Sequence, residues 1–485
     1  MTESTHDALA AHLLRVDHQE DVAFAVWYPS EGAERTTALI ADVILPADGD
    51  RLVHGNASFL PPYVERALAA AMAAGGGLAF LHSHGGPGWQ GMSEDDVAAE
   101  QSLAAQARAA TGLSLVGLTL GTDGAWSARF WVKTAPRTYV RAWCENVRVV
   151  GQQLRITWHP SLRPVPHFRP SLERTISSWG REAQADLARL HVGVIGAGSV
   201  GSMVAEALAR TGLHRLRLLD FDAVEERNLD RLLHASPADI GRAKVAVLAE
   251  ALAKSATANN FDVEAFEWSV VEEEGFRRAL DCVVLFSCVD RPWPRSAMNL
   301  IAYAHLIPVV DGGIQVGVTR RKTLKRADWR AHVAAPTRRC LECLGQYDPG
   351  FVATERDGYL DDPTYIERLP SDHPLRANEN VFAFSMAAAS FEVLQFLAMV
   401  IAPMGVASPG AQNYHFVPGN LDPPDFRSCD ENCVYPALTA RGDTTGITVT
   451  AEHAVAEKGR AARAAAARRS SGKSLFRRIW EWWQP

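Results

Sequence analysis

The chain has 485 residues, of which 47% are hydrophobic and 22% charged, a composition typical of a folded globular protein. Its formal net charge of −7 argues against a general nucleic-acid-binding protein. A chain of this length can form two or three domains, each with its own core. The N-terminus shows no basic segment followed by an apolar one, so we predict no secretory signal and a cytoplasmic protein.

The first 150 residues predict a compact α/β domain. A helix over about 4–18 precedes strands in EDVAFAVWYP and TTALIADVILP. An Ala-rich helix in PPYVERALAAAMAAGG then leads into a strand in LAFLH. The Pro-rich residues 151–170 follow and are predicted to be a linker.

Two histidines, His82 and His84, flank a serine at the end of the LAFLH strand. Alternate side chains of a strand share a face, so both imidazoles can bind one metal ion. Asp96, from the next element, could supply a third ligand and leave a fourth position to water, as in catalytic zinc sites. The alternative is a polar strand end that meets a Gly-rich loop.

The pattern HSH followed by SxxD, from Ser93 to Asp96, resembles the JAMM motif of MPN-type (JAB) metalloproteases over roughly residues 1–140. The resemblance implies an N-terminal MPN/JAB α/β domain that cleaves isopeptide or peptide bonds after ubiquitin-like tails. It implies a catalytic Zn²⁺ on both histidines and Asp96, with Glu20 as general base and Ser93 stabilising the oxyanion.

The loop after the second histidine departs from this family's pattern. It has eight residues before Ser93, where the family usually has seven, and Gly85 and Gly86 replace the usual proline. A Gly-rich loop can absorb one extra residue. An inactive MPN domain used as a scaffold is therefore the alternative to a peptidase.

A second α/β segment opens with VGVIGAGSVGSMVAEAL, which has glycines at Gly196, Gly198 and Gly201 between an apolar strand and a helix. Such a turn lets phosphate approach the amide groups at a helix N-terminus. Asp220 ends the next strand and could hold ribose hydroxyls. Alone, these features would also fit an NAD-binding domain.

Charged and polar side chains then crowd one short region: Asp222, Asn228, Arg231 and Lys244. A nicotinamide site does not need so many charges near its phosphates. An ATP that is attacked at its α-phosphate does, because developing charge must be neutralised. The region therefore favours ATP over NAD.

This region resembles the ThiF/MoeB/HesA and ubiquitin-activating family, which adenylates the C-terminal glycine of ubiquitin-like proteins. The family's DxDxVxxxNLxRQ pattern is present except for its last residue, where Leu232 stands, and its Asp-Arg-Asn motif matches CVDRPWPRSAMN. The resemblance implies a Rossmann-like adenylation domain with a parallel-rich sheet over residues 171–445, acting on ATP with Mg²⁺. Its matching positions are Asp220, Asp222, Val224, Asn228, Leu229, Arg231, Asp290, Arg295 and Asn299.

Within that resemblance Asp290 would hold Mg²⁺. Arg174, in ERTISSWGREAQADL, fits the arginine that reaches into the ATP site of a partner subunit, so we expect a homodimer through the adenylation domain.

Four of the seven cysteines form two close pairs, Cys340/Cys343 and Cys429/Cys433. Four thiolates at such spacing predict a closed, structural Zn²⁺ site, which this family also has. A redox pair is the alternative. No cysteine lies between Gly345 and Asn420, where family members that form a thioester usually carry one.

Residues 446–485 form a predicted tail, and its part from 449 onward has eight Lys/Arg against three Asp/Glu. The tail ends in aromatic residues: Phe476, Trp480, Trp482 and Trp483. A flexible, solvated tail is expected for 449–470, and the aromatic end suggests docking to a protein partner or weak contact with an anionic membrane. The apolar span 382–402 contains Glu392 and Gln395, which favours a buried helix over a membrane span.

Together the two resemblances indicate a bifunctional enzyme of a bacterial ubiquitin-like system, a peptidase joined to an activating enzyme. Its partners would be a ubiquitin-like protein with a C-terminal glycine and a conjugating enzyme. Activation and processing of a sulfur-carrier protein for cofactor biosynthesis is the alternative.

Overall fold

The computed structural model describes residues 1–54, 56–319, 321–369 and 379–482. The strands of the first 150 residues are β1 Val22–Glu31, β2 Thr36–Ile44, β3 Arg51–His54, β4 Asn56–Phe59, β5 Gly77–Ser83, β6 Leu115–Leu120, β7 Trp126–Ala135, β8 Thr138–Trp143 and β9 Asn146–Val150. Six of them form a mixed sheet in the order β2-β1-β5-β6-β7-β8, with β5 and β6 parallel. The pair β3–β4 forms a separate hairpin.

Helices cover both faces of this sheet: α1 Glu3–Leu13, α2 Pro61–Ala74 and α3 Glu94–Thr111. Along β5, Ala79 and Leu81 pack on the side of α1, whereas Leu78 and Phe80 pack on the side of α2 and α3. This alternation is the period of a strand that is buried on both faces. It places the side chain of His82, two residues after Phe80, on the α3 face.

Helix α1 ends five residues before the predicted end of the first helix, at 18. Asp17 accepts hydrogen bonds from Arg15 Nε at 2.8 Å and from the backbone N–H of Gln19 at 3.2 Å. Such local side-chain bonds compete with helical ones. His18 is left-handed, with φ of 58°.

The second sheet contains β11 His191–Ile195, β12 Arg215–Leu219, β13 Asp262–Phe266, β14 Val284–Ser287, β15 Val309–Val318, β16 Leu324–Ala334, β17 Gln412–His415 and β18 Asn420–Leu421. Their order is β13-β12-β11-β14-β15-β16-β17-β18, and the first five are parallel. The expected parallel-rich sheet is therefore confirmed. The strand order reverses direction at β11, which opens a crevice at the carboxyl ends of β11 and β14.

The remaining helices are α4 Glu173–Trp179, α5 Arg181–Arg189, α6 Ser199–Arg210, α7 Lys244–Ser255, α8 Glu273–Leu280, α9 Pro292–Ala304, α10 Pro349–Arg356, α11 Pro363–Arg368, α12 Phe382–Ile401 and α13 Ala454–Trp482. In the part of the chain that the structure describes, α12 is the one helix long and apolar enough to cross a membrane. It packs on α6, β15 and β16, with Glu392, Gln395 and Phe396 fully buried. That face belongs to the protein core.

The predicted linker 151–170 is partly a strand. Residues Leu154–Trp158 form β10, which pairs antiparallel with β9 as a hairpin. Val149 lies in the core of the first sheet, whereas Val150, Leu154 and Trp158 pack into the core of the second. The two halves of the chain are thus joined by a hairpin that belongs to both.

Buried charges make a second junction, at the turn between β1 and β2. The backbone N–H groups of Glu34 and Arg35 each donate to Asp281 at 3.1 Å. Arg217, which is fully buried, contacts Asp281 at 2.6 Å and Glu264 at 2.8 Å. Removing one partner of such a network costs several kcal/mol, so the junction is specific.

The predicted tail contains α13, and its first turns contact the body of the protein. The side chains of Phe476, Trp480 and Trp482, and residue Trp483 altogether, lie outside the described residues, so docking through the aromatic end stays a prediction.

Candidate functional site

The first candidate site lies where the carboxyl end of β5 meets the N-terminus of α3. Nε2 of His82 is 3.1 Å from Nε2 of His84, and Asp96 oxygens lie 3.4 and 3.3 Å from those two nitrogens. Ligands about 2.0–2.1 Å from a tetrahedral ion are about 3.3–3.4 Å apart, so these separations fit one metal ion. The structure brings together the three predicted ligands.

Asp96 is placed by the start of α3. Ser93 is the N-cap: its Oγ accepts from Asp96 N at 3.1 Å, and an Asp96 carboxylate oxygen accepts from Ser93 N at 2.7 Å. This capping box fixes the carboxylate that faces the histidines. The Ser93 hydroxyl therefore has a structural role here, beside the predicted oxyanion role.

The protonation states suit metal binding. Burial lowers the pKa of His82, which favours the neutral imidazole that binds a metal ion. Burial works against the Asp96 carboxylate, but its contacts with His82 and His84 outweigh this effect and leave its pKa below the usual range. Burial raises the pKa of Glu20, which lies just before β1, and its carboxyl group also interacts electrostatically with His84 and Asp96.

A buried ion pair lies behind His82. Arg129 and Glu100 are both fully buried, and Arg129 Nη1 donates to Thr119 Oγ1 at 2.6 Å. That hydroxyl is 3.3 Å from His82 Nε2. Sequence reasoning missed this support, because its members come from α3, β6 and β7.

The second candidate site is a cleft of about 1730 Å³ at the carboxyl ends of the parallel strands of the second sheet. Nine of the predicted nucleotide-binding positions line it. These are Gly196, Gly198, Asp220, Asp222, Asn228, Arg231, Lys244, Asp290 and Arg295, with Gly201 directly behind in α6.

The Gly-rich turn between β11 and α6 requires two of its three glycines. Gly196 has φ of 95°, and a Cβ there would lie 2.5 Å from Cys288 O. A Cβ on Gly201 would lie 1.8 Å from Gly196 O, so the helix could not approach the strand. A Cβ on Gly198 would meet nothing within 4 Å, which leaves an open cradle before the amides of α6.

Asp220 ties two loops of the cleft together. Its carboxylate accepts from Ala197 N and from Asp222 N, both at 2.7 Å. Burial raises its pKa to about 6, against the stabilising charge of Lys244. Lys244, the first residue of α7, pairs with Asp222 at 2.8 Å and brings a cation to this acidic corner.

The carboxylate of Asp290 is exposed to the cleft just after β14. Arg295, one turn into α9, contacts the buried Asp311 at 3.1 Å and Gly312 O at 3.1 Å. Arg330 approaches Asp311 from the other side at 2.7 Å. Sequence reasoning missed Asp311, Gly312 and Arg330. The run DGG at the start of β15 was a visible signal for the first two.

Two predicted residues do not reach this cleft. Asn299 is fully buried; its amide donates to Tyr347 OH at 3.1 Å and accepts from Leu341 N at 3.0 Å. It therefore supports the loop that carries Cys340, which corrects its assignment to the nucleotide. Arg174 lies exposed on α4, outside the cleft of its own chain.

The four cysteines Cys340, Cys343, Cys429 and Cys433 meet in one cluster, with all Sγ atoms within 4.8 Å of one another. Cys340 Sγ and Cys433 Sγ are 3.7 Å apart. Thiolates at about 2.3 Å from a tetrahedral zinc are about 3.8 Å apart. Backbone N–H groups of Cys340, Cys343 and Asp430 donate to these sulfurs, as expected for thiolates.

The other three cysteines are poor nucleophiles. Burial raises the pKa of Cys144 to about 12 and that of Cys282 to about 12. Burial and the neighbouring Glu392 raise the pKa of Cys288 well above its usual value. Little of each thiol is ionised, so none of the three is activated for attack.

Comparison with known proteins identifies the second half of the chain. Residues 172–406 match the model of the ThiF family. Among similar proteins, tRNA threonylcarbamoyladenosine dehydratase 2 of Saccharomyces cerevisiae is 30% identical over 207 residues, 42% of this chain and 44% of that protein. Ubiquitin-like modifier-activating enzyme 5 of Drosophila melanogaster is 33% identical over 120 residues, 22% of this chain and 29% of that protein.

Among solved structures, E. coli MccB with ATP has a TM-score of 0.42 and 15% identity, covering 55% of this chain and 74% of that one. The chain spans less than half the length of these curated relatives. We refer to residues 172–406, the part of the chain that matches this family, as the ThiF family domain.

Proposed function

We propose that the ThiF family domain adenylates a carboxyl group with ATP. The observation that carries the proposal is the single cleft in which the Gly-rich turn, Asp220, Lys244 and Asp290 come together at the carboxyl ends of β11, β12 and β14. The cleft fits a nucleoside triphosphate, because it has an open cradle at the α6 N-terminus, a buried acceptor for ribose hydroxyls and a cation.

Each residue would then have a defined task. Backbone N–H groups of the turn bind phosphate, Asp220 orients the ribose, and Lys244, Arg231 and Arg295 neutralise negative charge. Asp290 would hold Mg²⁺, which supplies further charge neutralisation when bound. The substrate carboxylate attacks the α-phosphate, an acyl–phosphate bond forms, and pyrophosphate leaves.

We propose the C-terminal glycine of a ubiquitin-like protein as the carboxyl group, because a peptidase-like site occupies the same chain. A sulfur-carrier protein with the same C-terminus is the alternative. The similarity to tRNA threonylcarbamoyladenosine dehydratases supports a third candidate, a carboxyl group carried by tRNA. The net charge of −7 favours a protein substrate over RNA.

The test is ATP–pyrophosphate exchange by the full chain with a ubiquitin-like protein that ends in Gly-Gly. Asp290→Asn removes a carboxylate that is exposed to the cleft and should lower exchange by about 100-fold or more. Asp357→Asn is the matched control, since Asp357 is exposed and lies outside the cleft. Equal exchange by both variants, or exchange that requires tRNA and no protein, would contradict the proposal.

We propose further that the N-terminal domain is a zinc-dependent (iso)peptidase that trims or removes the same ubiquitin-like protein. The supporting observation is the set of tetrahedral separations between His82, His84 and Asp96, with Glu20 beside them. Zinc would polarise the scissile carbonyl and lower the pKa of water. Glu20 would accept a proton from the attacking water, and the three ligands would hold the ion.

Metal content and cleavage test this second activity. The His82→Ala, His84→Ala variant should bind one zinc fewer per chain than the wild type and fail to cleave a ubiquitin-like fusion, while ATP–pyrophosphate exchange remains. If the variant binds as much zinc as the wild type, His82 and His84 are not zinc ligands. Normal metal binding without cleavage by the wild type would favour the inactive scaffold.

The thiolate cluster would hold a second, structural zinc that joins residues 340–343 to residues 429–433. With all four thiolates engaged and the other cysteines buried, the domain would pass on an acyl-adenylate without forming a thioester. We propose a cytoplasmic homodimer in which Arg174 reaches the partner's cleft. Both follow from the family resemblance and the reduced thiols it requires.

A further inference from the structure

The chain segment 449–463 lies across one end of the nucleotide cleft; we call it the C-terminal strap. Trp293 Nε1 donates to Val449 O at 2.8 Å, and Ala451 N donates to Val271 O at 2.9 Å. Hydrogen bonds to the strap backbone therefore hold it before α13 begins. These contacts correct the expectation of a flexible, solvated segment for residues 449–463 of the predicted range 449–470, whereas residues 464–468 are exposed.

Two arginines of α13 fasten the strap from the other side. Arg460 donates to both carboxylate oxygens of Glu272, at 2.8 and 2.5 Å, and its guanidinium lies 3.8 Å from the centre of the Trp268 ring. Arg463 donates to Phe221 O at 2.6 Å and to Glu267 at 2.6 Å. Their side chains are only 20% and 19% exposed, so these are partly desolvated ion pairs.

The strap meets the cleft at a definite place. Phe221 directly follows Asp220 after β12, and Trp268 follows β13, the next parallel strand outward. His453 of the strap packs edge-on against Phe221, with ring centres 4.8 Å apart. All three rings line the cleft.

The order of the strands indicates which part of a nucleotide would lie there. Phosphates belong at the Gly-rich turn after β11, and ribose hydroxyls belong at Asp220 after β12. The base then points further outward, toward the end of β13. That is the position of Phe221, Trp268 and His453.

We propose that the C-terminal strap forms a wall of the base subsite, with His453 contacting the purine base of ATP. The inference rests on the proposed adenylation and adds to it a specificity-determining segment outside residues 172–406. Aromatic faces and an imidazole stack on a base without needing its phosphates. The strap therefore acts on the base end of the nucleotide, and the phosphate end is independent of it.

The experiment compares two ligands on the full chain by calorimetry: Mg²⁺–ATP, and Mg²⁺–tripolyphosphate, which has no base. His453→Ala and the Arg460→Ala, Arg463→Ala double variant should each weaken ATP binding by about tenfold, the loss of one base-stacking contact. Tripolyphosphate should bind all variants as it binds the wild type. Lys458→Ala is the matched control, since Lys458 is an exposed cation on the same helix.

Each outcome has a distinct meaning. Equal ATP affinity in all variants overturns the strap proposal and leaves adenylation untouched. Parallel loss of both ligands also overturns it, because the strap would then act on the phosphates or the fold. Absence of ATP binding by the wild type overturns the proposed function and the strap subsite together.

Discussion

Breaking the buried pair Arg129–Glu100 should destabilise the N-terminal domain strongly, and removing both charges should restore much of the loss. In Arg129→Met, the Glu100 carboxylate stays fully buried, and among the described residues Trp131 Nε1, at 2.6 Å, is its remaining donor. Leaving one buried charge unpaired costs about 3–5 kcal/mol. Gly117 of β6 shows how tightly the pair is enclosed, since a Cβ there would lie 2.3 Å from Glu100.

The double variant Arg129→Met, Glu100→Leu removes both charges. Replacing a buried pair with apolar side chains is often neutral, but Trp131 and Thr119 would each lose a partner at about 1–3 kcal/mol. The two single variants and the double variant should therefore show a coupling of at least about 2 kcal/mol. Urea unfolding followed by tryptophan fluorescence measures it, because Trp131 contacts the pair directly. Additive costs, with coupling under about 0.5 kcal/mol, would refute the reasoning.

Two further predictions concern the ThiF half. A chelator that removes metal from the thiolate cluster should unfold this half, because metal binding and folding are coupled, and so should the double variant Cys340→Ser, Cys343→Ser. Circular dichroism with zinc analysis measures this. Full stability without metal would contradict the prediction. Burial raises the pKa of Glu355 to about 7, although the backbone N–H of Trp293 donates to its carboxyl group. The contribution of protonated Glu355 to the stability of the protein is therefore present at low pH and is lost as pH rises through 7. Glu355→Gln should therefore gain up to about 3 kcal/mol in unfolding free energy relative to wild type between pH 5 and pH 8, and parallel curves would contradict it.

Local patterns in the sequence predicted the parts of the sites that depend on neighbouring residues. The spacing of Gly196, Gly198 and Gly201 predicted the turn between β11 and α6, where a Cβ on Gly196 or on Gly201 would clash with the backbone. His82 and His84 meet because strand geometry places them on one face. The spacing within each cysteine pair keeps its two thiols together, and the fold brings the two pairs into one cluster.

Contacts between distant segments could not be predicted in this way. Asp311 meets Arg295 and Arg330 only because α9, β15 and β16 pack together. The strap was predicted to be solvated, because its Ala- and Arg-rich composition does not indicate that its arginines pair with glutamates elsewhere in the chain. Ser93 did carry a signal, since SxxD before a helix is also a capping box.

The β9–β10 hairpin has a practical consequence for anyone who divides this chain into separate domains. A cut after residue 150 leaves Val150 on one fragment and Leu154 and Trp158 on the other, although all three pack into the same core. Each fragment would expose apolar strand edges that pair with any available chain. Fragments expressed with this boundary should aggregate. A boundary after Trp158 keeps the hairpin whole, but it still exposes the face of the hairpin that packs against the ThiF family domain. Inactivity of such a fragment would therefore report on solubility and say nothing about the chemistry of its site.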